Sequence, residues 1–534
     1  MKHYDVIIAG YGPTGATLAN LLVARGLQVA VFDKLPDLYP LPRAIGIDHE
    51  GLRIMQEVGV ADELQDVIAP YRPSEYRGVD GQPILRLDAA PAPHRLGWAP
   101  NYVFNQPALE RALRNRLSKQ DAAHIFLEAE VTDNGQDADS VWVDVKLKDE
   151  TEVTRFSCAY LIACDGGASP IRKRLGIELE DLGFDEAWLV IDAIVNDEKL
   201  AQLPDTQVQY CEPDRPCTFV VGPGNHRRWE VMLLAGEQNS GDYPEEVLWP
   251  MLSRWLKPGE GRLWRHAAYR FHGLVARQWR KGRILLAGDA AHMTPPFMAQ
   301  GMVQGMRDAL NLAWKLELVL KKVGSDALLD SYEQERHPHV VATTRAAMEL
   351  GRIICERDAD KARRRDADLR AKQGGVVKTT IRQNMIPGLT SGLIDTTAPG
   401  AGTLFPQPHV TVHEPGEPRS GWLDQFVQGS ACLLSVGVVS EAESDRLHDL
   451  AQRINATLVC IDAEDNRASA RSGICVTEEG AVMAPWLESL NCRYVISRPD
   501  HYVYGAAPDL AALENLVNRY VRGLDGEGVK RQAN

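Results

Sequence analysis

The sequence has no apolar run long enough to cross a membrane. Its densest apolar stretch, Trp188–Val195, contains Asp192, and a membrane helix needs roughly 20 apolar residues. The first residues also lack the basic and apolar segments of a signal peptide. These absences predict a cytoplasmic protein with no membrane partner.

Cysteine is present, but never in the pairs that bind metals or form redox centres. The nine cysteines are scattered, and none of them forms a Cys-x-x-Cys motif. An odd and dispersed set is typical of reduced thiols in the cytoplasm rather than of a disulfide framework or a zinc site. We therefore expect no metal site.

Positive charge is in the minority. The chain has 59 Lys and Arg against 73 Asp and Glu, a net charge of −14. This balance argues against nucleic acid as a partner. The proportions of hydrophobic and charged residues, 44% and 25%, are ordinary for a globular enzyme.

No internal repeat and no long low-complexity segment organises the chain, so its parts must be found from local patterns. At about 150 residues per domain, 534 residues predict roughly three to four domains. The patterns divide the chain into an α/β part over 1–176, a β-rich insertion over 177–275, a second α/β part with a helical connector over 276–400, and a small α/β domain over 401–534.

The opening segment reads strand, glycine-rich turn, helix and strand, the first unit of a doubly wound parallel sheet. The turn is Gly10-Tyr11-Gly12-Pro13-Thr14-Gly15, and Asp33 followed by Lys34 ends the second strand. The three glycines allow, in order, a tight bend, close approach of a pyrophosphate, and close packing of helix on strand. Asp33 is placed to accept hydrogen bonds from ribose hydroxyls. No second fingerprint of this kind occurs, so one dinucleotide alone has a dedicated fold.

Two more motifs follow in the chain. Asp165 begins the stretch Asp165-Gly166-Gly167, with Arg172 shortly after it. A buried strand predicted at 283–287 ends in Gly288-Asp289, and Pro296, Gly301 and Met302 lead into a helix predicted from about 300 to 323. The N-terminus of that helix favours negative charge.

Taken together, these motifs resemble those of the class A flavoprotein monooxygenases, the para-hydroxybenzoate hydroxylase-like enzymes. The segments Pro42–Asp48 and Asn105–Pro107 match the same family. Within it, the chain is most similar to the 3-(3-hydroxyphenyl)propionate hydroxylases, through Pro42–Asp48, Cys211–Pro216, Arg227–Glu230 and Arg498–Asp500. The resemblance covers essentially the whole chain.

The resemblance implies bound FAD, transient NADH or NADPH, and O₂. It implies a Rossmann-like FAD-binding domain in two parts, with the β-rich insertion as the substrate domain. The cofactor-binding residues that it implies are Gly10, Gly12, Pro13, Thr14, Gly15, Asp33, Lys34, Arg43, Gln106, Asp165, Arg172, Gly288, Asp289, Pro296, Gly301 and Met302.

The implied activity is hydroxylation of a small phenolic ring, through a flavin C4a-hydroperoxide, in aromatic catabolism. A polyketide-type aromatic hydroxylase is the alternative, and a non-catalytic flavin-binding sensor is a weaker one. A flavin-dependent halogenase does not fit, because its Trp-x-Trp-x-Ile-Pro motif is missing.

The hydroxylation also calls for a base or proton relay that draws the phenol toward phenolate. The candidate catalytic residues are Asp48, His49, Tyr210 and Arg228. A carboxylate on the substrate would call for an arginine, and Arg215 or Arg228 could supply it.

The family's glycine-rich segment is altered here. Val303 and Gln304 stand where we expect the edge of flavin and substrate, and a valine cannot donate the hydrogen bond of an asparagine. The identity of the substrate depends on this region.

The C-terminal domain resembles the thioredoxin-like appendage of several such hydroxylases. It has no Cys-x-x-Cys, so redox work by it is not expected. A structural role or a contact in a homodimer is the expectation.

Overall fold

A computed structural model describes residues 2–237, 241, 243–413, 418–437, 440–461 and 473–527. The architecture is mixed α/β, with three large sheets. The α-helices of the described residues are α1 (Pro13–Ala24), α2 (His49–Val58), α3 (Gln106–Leu117), α4 (Pro170–Arg174), α5 (Asp197–Leu200), α6 (Glu245–Leu252), α7 (Gly301–Leu320), α8 (Asp330–Cys355), α9 (Ala359–Lys372), α10 (Leu423–Val427), α11 (Glu441–Arg453), α12 (Met483–Leu490) and α13 (Leu510–Leu524). No helix in these ranges is both long and apolar enough to span a membrane.

The first sheet is the predicted doubly wound one. Its main strands, in spatial order, are Arg280–Lys281, Ile284–Leu286, Thr154–Ala163, His3–Ala9, Val29–Asp33 and Ala123–Leu127. All of these pairings are parallel except the first. Strands Val141–Leu147 and Ala129–Gln136 add an antiparallel flap. Val6, Ile7 and Ile8 are fully buried, as expected for a strand covered on both faces.

The second sheet is the predicted β-rich insertion, with additions from elsewhere in the chain. Its strands, in spatial order, are His292–Met293, Gly261–Ala276, Leu179–Val195, His226–Met232, Cys217–Val221, Gln207–Tyr210, Ser74–Arg77, Pro83–Asp88 and Thr379–Ile381. The first strand and the last three come from outside 177–275. The domain boundaries given above stay a prediction, but this sheet is assembled from four separate parts of the sequence, 74–88, 179–276, 292–293 and 379–381.

A small third sheet joins two segments that lie beside the flavin motifs. Asn101–Phe104 runs between Gly46–Asp48 and Ile68–Pro70. It brings the Pro42–Asp48 segment next to the start of α3. Helix α3 begins at Gln106, two residues after this strand ends.

The C-terminal sheet has helices on both faces. Its strands, in order, are Arg419–Trp422, His409–Val412, Ile474–Glu479, Ala456–Ile461, Ala431–Val436, Tyr494–Ser497 and Val503–Ala507. Separate apolar clusters, around Leu516 on one face and Trp486 on the other, cover it.

Two separate helices, α8 and α9, follow α7 in the chain. α8 ends at Cys355, and α9 starts after Asp358, whose side chain accepts from the backbone N–H groups of Asp360 and Lys361. Because Asp358 caps the start of α9, α8 and α9 are separate helices rather than one continuous helix.

Candidate flavin site

The turn between His3–Ala9 and α1 needs glycine at two positions. Gly10 has φ of 103°, and a Cβ there would overlap the carbonyl oxygen of Cys164. A Cβ on Gly15 would overlap the carbonyl oxygen of Gly10. Gly12 differs, because no atom lies within 4 Å of its Cβ position. The turn is thus closely packed behind, at Gly10 and Gly15, and open in front, at Gly12.

In front of the turn lies a cavity of about 510 Å³. Most of the predicted cofactor residues line it: Gly10, Gly12, Pro13, Thr14, Asp33, Lys34, Arg43, Gln106, Asp165, Asp289, Gly301 and Met302. Residues from five distant stretches of the chain therefore meet at one site, as the motifs predicted.

Gly15, Arg172, Gly288 and Pro296 do not line the cavity. Gly15 packs behind the turn. Arg172 donates to the carbonyl oxygens of Gly167 and Ala290, at 2.8 Å each, and so ties two cavity-forming loops together. Pro296 begins the short 3₁₀ turn that leads into α7.

Thr14 connects the turn to the later motifs. A Cβ added to Gly288 or to Gly305 would overlap the Thr14 side chain. These two glycines therefore leave the space in which Thr14 sits. The close approach holds α1 against α7 and against the loop that carries Asp289.

Asp33 is fixed at the end of its strand by backbone donors. Its two carboxylate oxygens accept from the N–H groups of Tyr11, at 2.7 Å, and Leu35, at 2.8 Å. Each oxygen retains capacity to accept a further hydrogen bond. This is the arrangement expected of a residue that receives ribose hydroxyls.

Helix α3 contributes more to the cavity than the sequence interpretation assigned to it. Gln106 accepts from the backbone N–H groups of Arg43, at 3.1 Å, and Ala44, and donates to Glu110 at 2.7 Å. Glu110 and Arg114 also line the cavity. Gln106, Glu110 and Arg114 follow one another at intervals of four residues, which places all three on one helix face, a signal that was available in the sequence.

The cavity fits a dinucleotide on grounds independent of the motifs. The N-terminus of α1 opens onto it beside the unobstructed Gly12, which suits a phosphate. Oxygen Oδ1 of Asp165 is buried in the wall with no hydrogen-bond donor among the described residues. Burial raises the pKa of Asp165 above its usual range, so its carboxyl gains from a ligand hydroxyl.

A buried polar cluster supports the far end of the cavity. Asp48 caps α2 by accepting from the Gly51 N–H at 2.9 Å, and it accepts from Arg307 at 2.6 Å and Gln300 at 3.1 Å. Burial alone would raise the pKa of Asp48, but Arg307 and these hydrogen bonds bring it below the usual range. Asp48 is therefore an anion whose hydrogen bonds are made with other groups of the protein.

His49 is the neighbouring candidate base. It begins α2 and is half-buried. Burial lowers the pKa of its ring below the usual value, against the opposing effect of Asp48 and Glu50. A neutral imidazole of this kind is able to accept a proton.

Tyr210 and Arg228 lie in the second sheet, and neither lines the cavity. The Tyr210 hydroxyl accepts from the Trp255 indole N–H at 3.0 Å. Arg228 donates to both oxygens of Asp192, at 2.7 and 3.1 Å, and to the carbonyl oxygens of Pro42 and Arg43. Arg228 thus supports the segment that carries Arg43.

The structure corrects the expectation that Val303 and Gln304 lie at the edge of flavin and substrate. Both side chains are fully buried, and neither lines the cavity. Gln304 accepts from Arg336. Since successive helix residues rotate by about 100°, Gly301 and Met302 face the cavity while the next two residues face the core.

Comparison with known proteins defines the class. The family model described as "FAD binding domain" matches residues 3–347, and that described as "HcaD C-terminal domain" matches residues 402–522. The chain belongs to the FAD-dependent aromatic hydroxylases, a group of flavoprotein monooxygenases. This confirms the predicted family, its FAD cofactor and its enzymatic class.

Two curated relatives span almost the whole chain. The chain is 36% identical to the "Probable NADH-specific resorcinol 4-hydroxylase" of Rhodococcus jostii (strain RHA1), covering 98% of this chain and 96% of the relative. It is 30% identical to the "3-(3-hydroxy-phenyl)propionate/3-hydroxycinnamic acid hydroxylase" of Comamonas testosteroni, covering 94% of each.

A solved structure supports the fold. Aklavinone-11 hydroxylase, in a ternary complex with FAD and aklavinone, matches with a TM-score of 0.78 at 20% identity, covering 98% of this chain and 99% of that one. At this identity the likeness concerns the fold alone.

Proposed function

We propose that the protein hydroxylates a small, single-ring phenol with NADH as reductant, and that the substrate is an uncharged dihydroxybenzene of the resorcinol type. One observation carries the choice of an uncharged substrate. Both arginines expected to anchor a carboxylate already have protein partners. Arg215 makes two hydrogen bonds to Glu237, at 2.8 and 2.9 Å, and Arg228 is neutralised by Asp192.

The name of the Rhodococcus relative supports both the substrate class and NADH. A second candidate substrate, an arylpropionate such as 3-(3-hydroxyphenyl)propionate, is favoured by one other residue. Arg382 is 5% exposed, and its Nε has no acceptor among the described residues. It donates to the carbonyl oxygen of Met298 and lies over the Tyr71 ring, close to the segment that leads into α7.

The residues around the cavity would hold FAD. Gly12 and the N-terminus of α1 would receive the phosphates, Asp33 the ribose, and Asp165 and Asp289 the remaining hydroxyls. When bound and reduced by NADH, FAD activates O₂ and supplies one oxygen atom to the ring.

The chain's own residues would prepare the phenol. We propose His49 as the group that accepts the phenolic proton at its neutral ring, because a phenolate is more electron-rich at the ortho and para carbons. Asp48 would keep the start of α2 in place through its cap and its bond to Arg307. Asp48 thus has a positioning role.

An aromatic cluster would exclude water from the reacting ring. Phe184, Trp188, Phe271 and Phe297 pack with ring centroids 5.6 to 6.0 Å apart. Phe297 belongs to the turn that leads into α7. Excluding water protects the activated oxygen that hydroxylates the ring from decay in side reactions.

The test is NADH oxidation by the FAD-loaded protein with resorcinol and with 3-(3-hydroxyphenyl)propionate, and product mass is measured in each case. Resorcinol should accelerate oxidation and gain one oxygen atom. The arylpropionate should do neither. The opposite result would reject the uncharged substrate. No acceleration with any single-ring phenol would reject the proposed activity and favour the sensor alternative.

The variant Arg382→Met separates the two substrates further. If Arg382 anchors a carboxylate, KM for the arylpropionate should rise about 100-fold, with little change in kcat. The KM for resorcinol should change far less. Repeating the assay with NADPH tests the preference for NADH.

We also propose a homodimer in the cytoplasm. None of the nine cysteines forms a disulfide within the described residues, which supports a reducing compartment. Sedimentation velocity of the FAD-loaded protein tests the dimer, and a single monomeric species at micromolar concentration would contradict it.

A further inference from the structure

Helix α7 has a buried polar face in addition to its apolar one. Arg307, Asn311 and Lys315 follow one another at intervals of four residues, and each is 3% exposed or less. Residues at this spacing share one side of a helix. That side faces the 498–502 hairpin loop of the C-terminal domain.

The middle of this face is held by a closed network of charges. Asn311 donates to Asp500 at 2.9 Å and to Glu335 at 2.7 Å. Lys315 donates to Glu335 at 2.7 Å. Arg498 donates to Glu335 at 2.9 and 2.7 Å, and also bonds Asp500. Two residues of the C-terminal loop therefore clamp α7 against α8.

A second contact from the same loop reaches the flavin-facing end of α7. The Tyr502 hydroxyl donates to Glu50 Oε1 at 3.0 Å. Arg307 donates to Glu50 Oε2 at 2.7 Å, to Asp48 at 2.6 Å and to Gln300 Oε1 at 2.7 Å. Gln300 immediately precedes the cavity-lining Gly301.

The charge balance of this cluster explains why the hydrogen bond from Tyr502 matters. Two buried carboxylates, Asp48 and Glu50, share one guanidinium, that of Arg307. Tyr502 is the sole donor to Glu50 Oε1 among the described residues. A buried carboxylate oxygen that loses its donor is costly, so Glu50 would compete harder for Arg307, which also holds Gln300.

We propose that Tyr502 is a positioning residue for the flavin site: by holding Glu50, it fixes Arg307 and Gln300 and so orients the first turn of α7. The C-terminal domain therefore takes part in building the flavin cavity. This role does not depend on which phenol is the substrate.

The variant Tyr502→Phe tests the proposal, with Tyr504→Phe as the matched control. Tyr504 lies two residues further along, in strand Val503–Ala507, and packs on Tyr520, away from Glu50. Hydrogen exchange is followed in the full-length apoprotein for the peptide that contains the Gln304 amide, which donates to the Gln300 carbonyl oxygen at 2.8 Å. FAD affinity is measured by fluorescence titration.

Tyr502→Phe should speed exchange in this peptide about tenfold and weaken FAD binding about threefold to tenfold. Tyr504→Phe should change neither. Equal behaviour of the two variants, or faster exchange across the whole C-terminal domain with none at α7, would overturn the proposal.

A double-mutant cycle with Glu50→Gln gives an independent readout. If Tyr502 acts through Glu50, the effects of the two changes on FAD affinity should not add. Additive effects would show that Tyr502 reaches the site by another route, and the proposal would fail.

Discussion

Arg498 and Glu335 form an ion pair between the C-terminal domain and α8 in which neither side chain reaches solvent. Their two hydrogen bonds are 2.9 and 2.7 Å long. Lys315 contacts the same carboxylate, and Asp500 contacts the same guanidinium. The pair is the centre of a network that no single element of the fold could satisfy alone.

Breaking this pair should destabilise the whole protein. Arg498→Met leaves Glu335 and Asp500 buried with too little positive charge, which should cost about 3–5 kcal/mol. Urea unfolding of the FAD-loaded protein measures the change. Arg270→Ala, which breaks an exposed pair with Asp185, is the control and should cost about 0–1 kcal/mol. Equal losses in the two variants would contradict the assignment.

Acid should unfold the protein partly through Glu57. Burial opposes ionisation of Glu57, but His501 and Arg25 bring its pKa down to about 2. An unfolded glutamate has a pKa of about 4.3, so this group contributes about 3 kcal/mol above that pH. The contribution should be lost as pH falls from about 4.3 towards the folded pKa.

The change Glu57→Gln should therefore flatten the dependence of stability on pH in this range. Denaturant unfolding at a series of pH values measures it. A variant with the same acid slope as the original protein would rule out Glu57 as a source of that slope.

Replacing Gly12 or Gly15 of the turn by alanine should have different effects. Gly15→Ala places a Cβ on the Gly10 carbonyl oxygen, so the apoprotein itself should lose about 1–3 kcal/mol of stability. Gly12→Ala meets no protein atom, so the apoprotein should remain stable while FAD binding weakens. Thermal unfolding without FAD, beside a FAD titration, separates the effects. A destabilised Gly12→Ala apoprotein would contradict the open geometry.

The proposed base should leave a mark on the pH profile. Because burial lowers the pKa of His49, kcat/KM of the original protein should be level at neutral pH and fall only in acid, where the ring becomes protonated. His49→Asn should lower kcat/KM by about 10²–10⁴-fold and remove the acid limb. His124→Asn, on an edge strand of the first sheet, is the control. Retention of the acid limb in His49→Asn would assign it to another group.

The nucleotide turn, Asp33 and the start of α7 were predictable because each depends on a local pattern. Glycine spacing and a strand that ends in an acidic residue suffice to predict a tight turn of the phosphate-binding type. Glu110 and Arg114 were equally local, at helical spacing from Gln106, and could have been found. The direction of the Val303 and Gln304 side chains was predicted wrongly, because a shift of one residue along a helix turns a side chain from the cavity towards the core.

The contacts that secure the site were beyond local reasoning. Asn311 meets Asp500 across 189 positions of the chain, and Ser74–Arg77 pairs with Gln207–Tyr210 in the second sheet. No periodicity in either segment names its partner. The polar face of α7 is visible as Arg307, Asn311 and Lys315, but only the folded chain shows that these side chains are buried and paired.

The seating of Thr14 between Gly288 and Gly305 has a consequence for the order of events on the ribosome. The turn that we propose receives FAD is among the first segments to emerge, yet the loop and helix that hold it are made much later. At about 5–20 residues per second, the interval is roughly 15–60 s. More than half of the 534-residue chain has therefore been made before this turn is complete, and a shortage of flavin during growth would act on a late stage of folding rather than on the first.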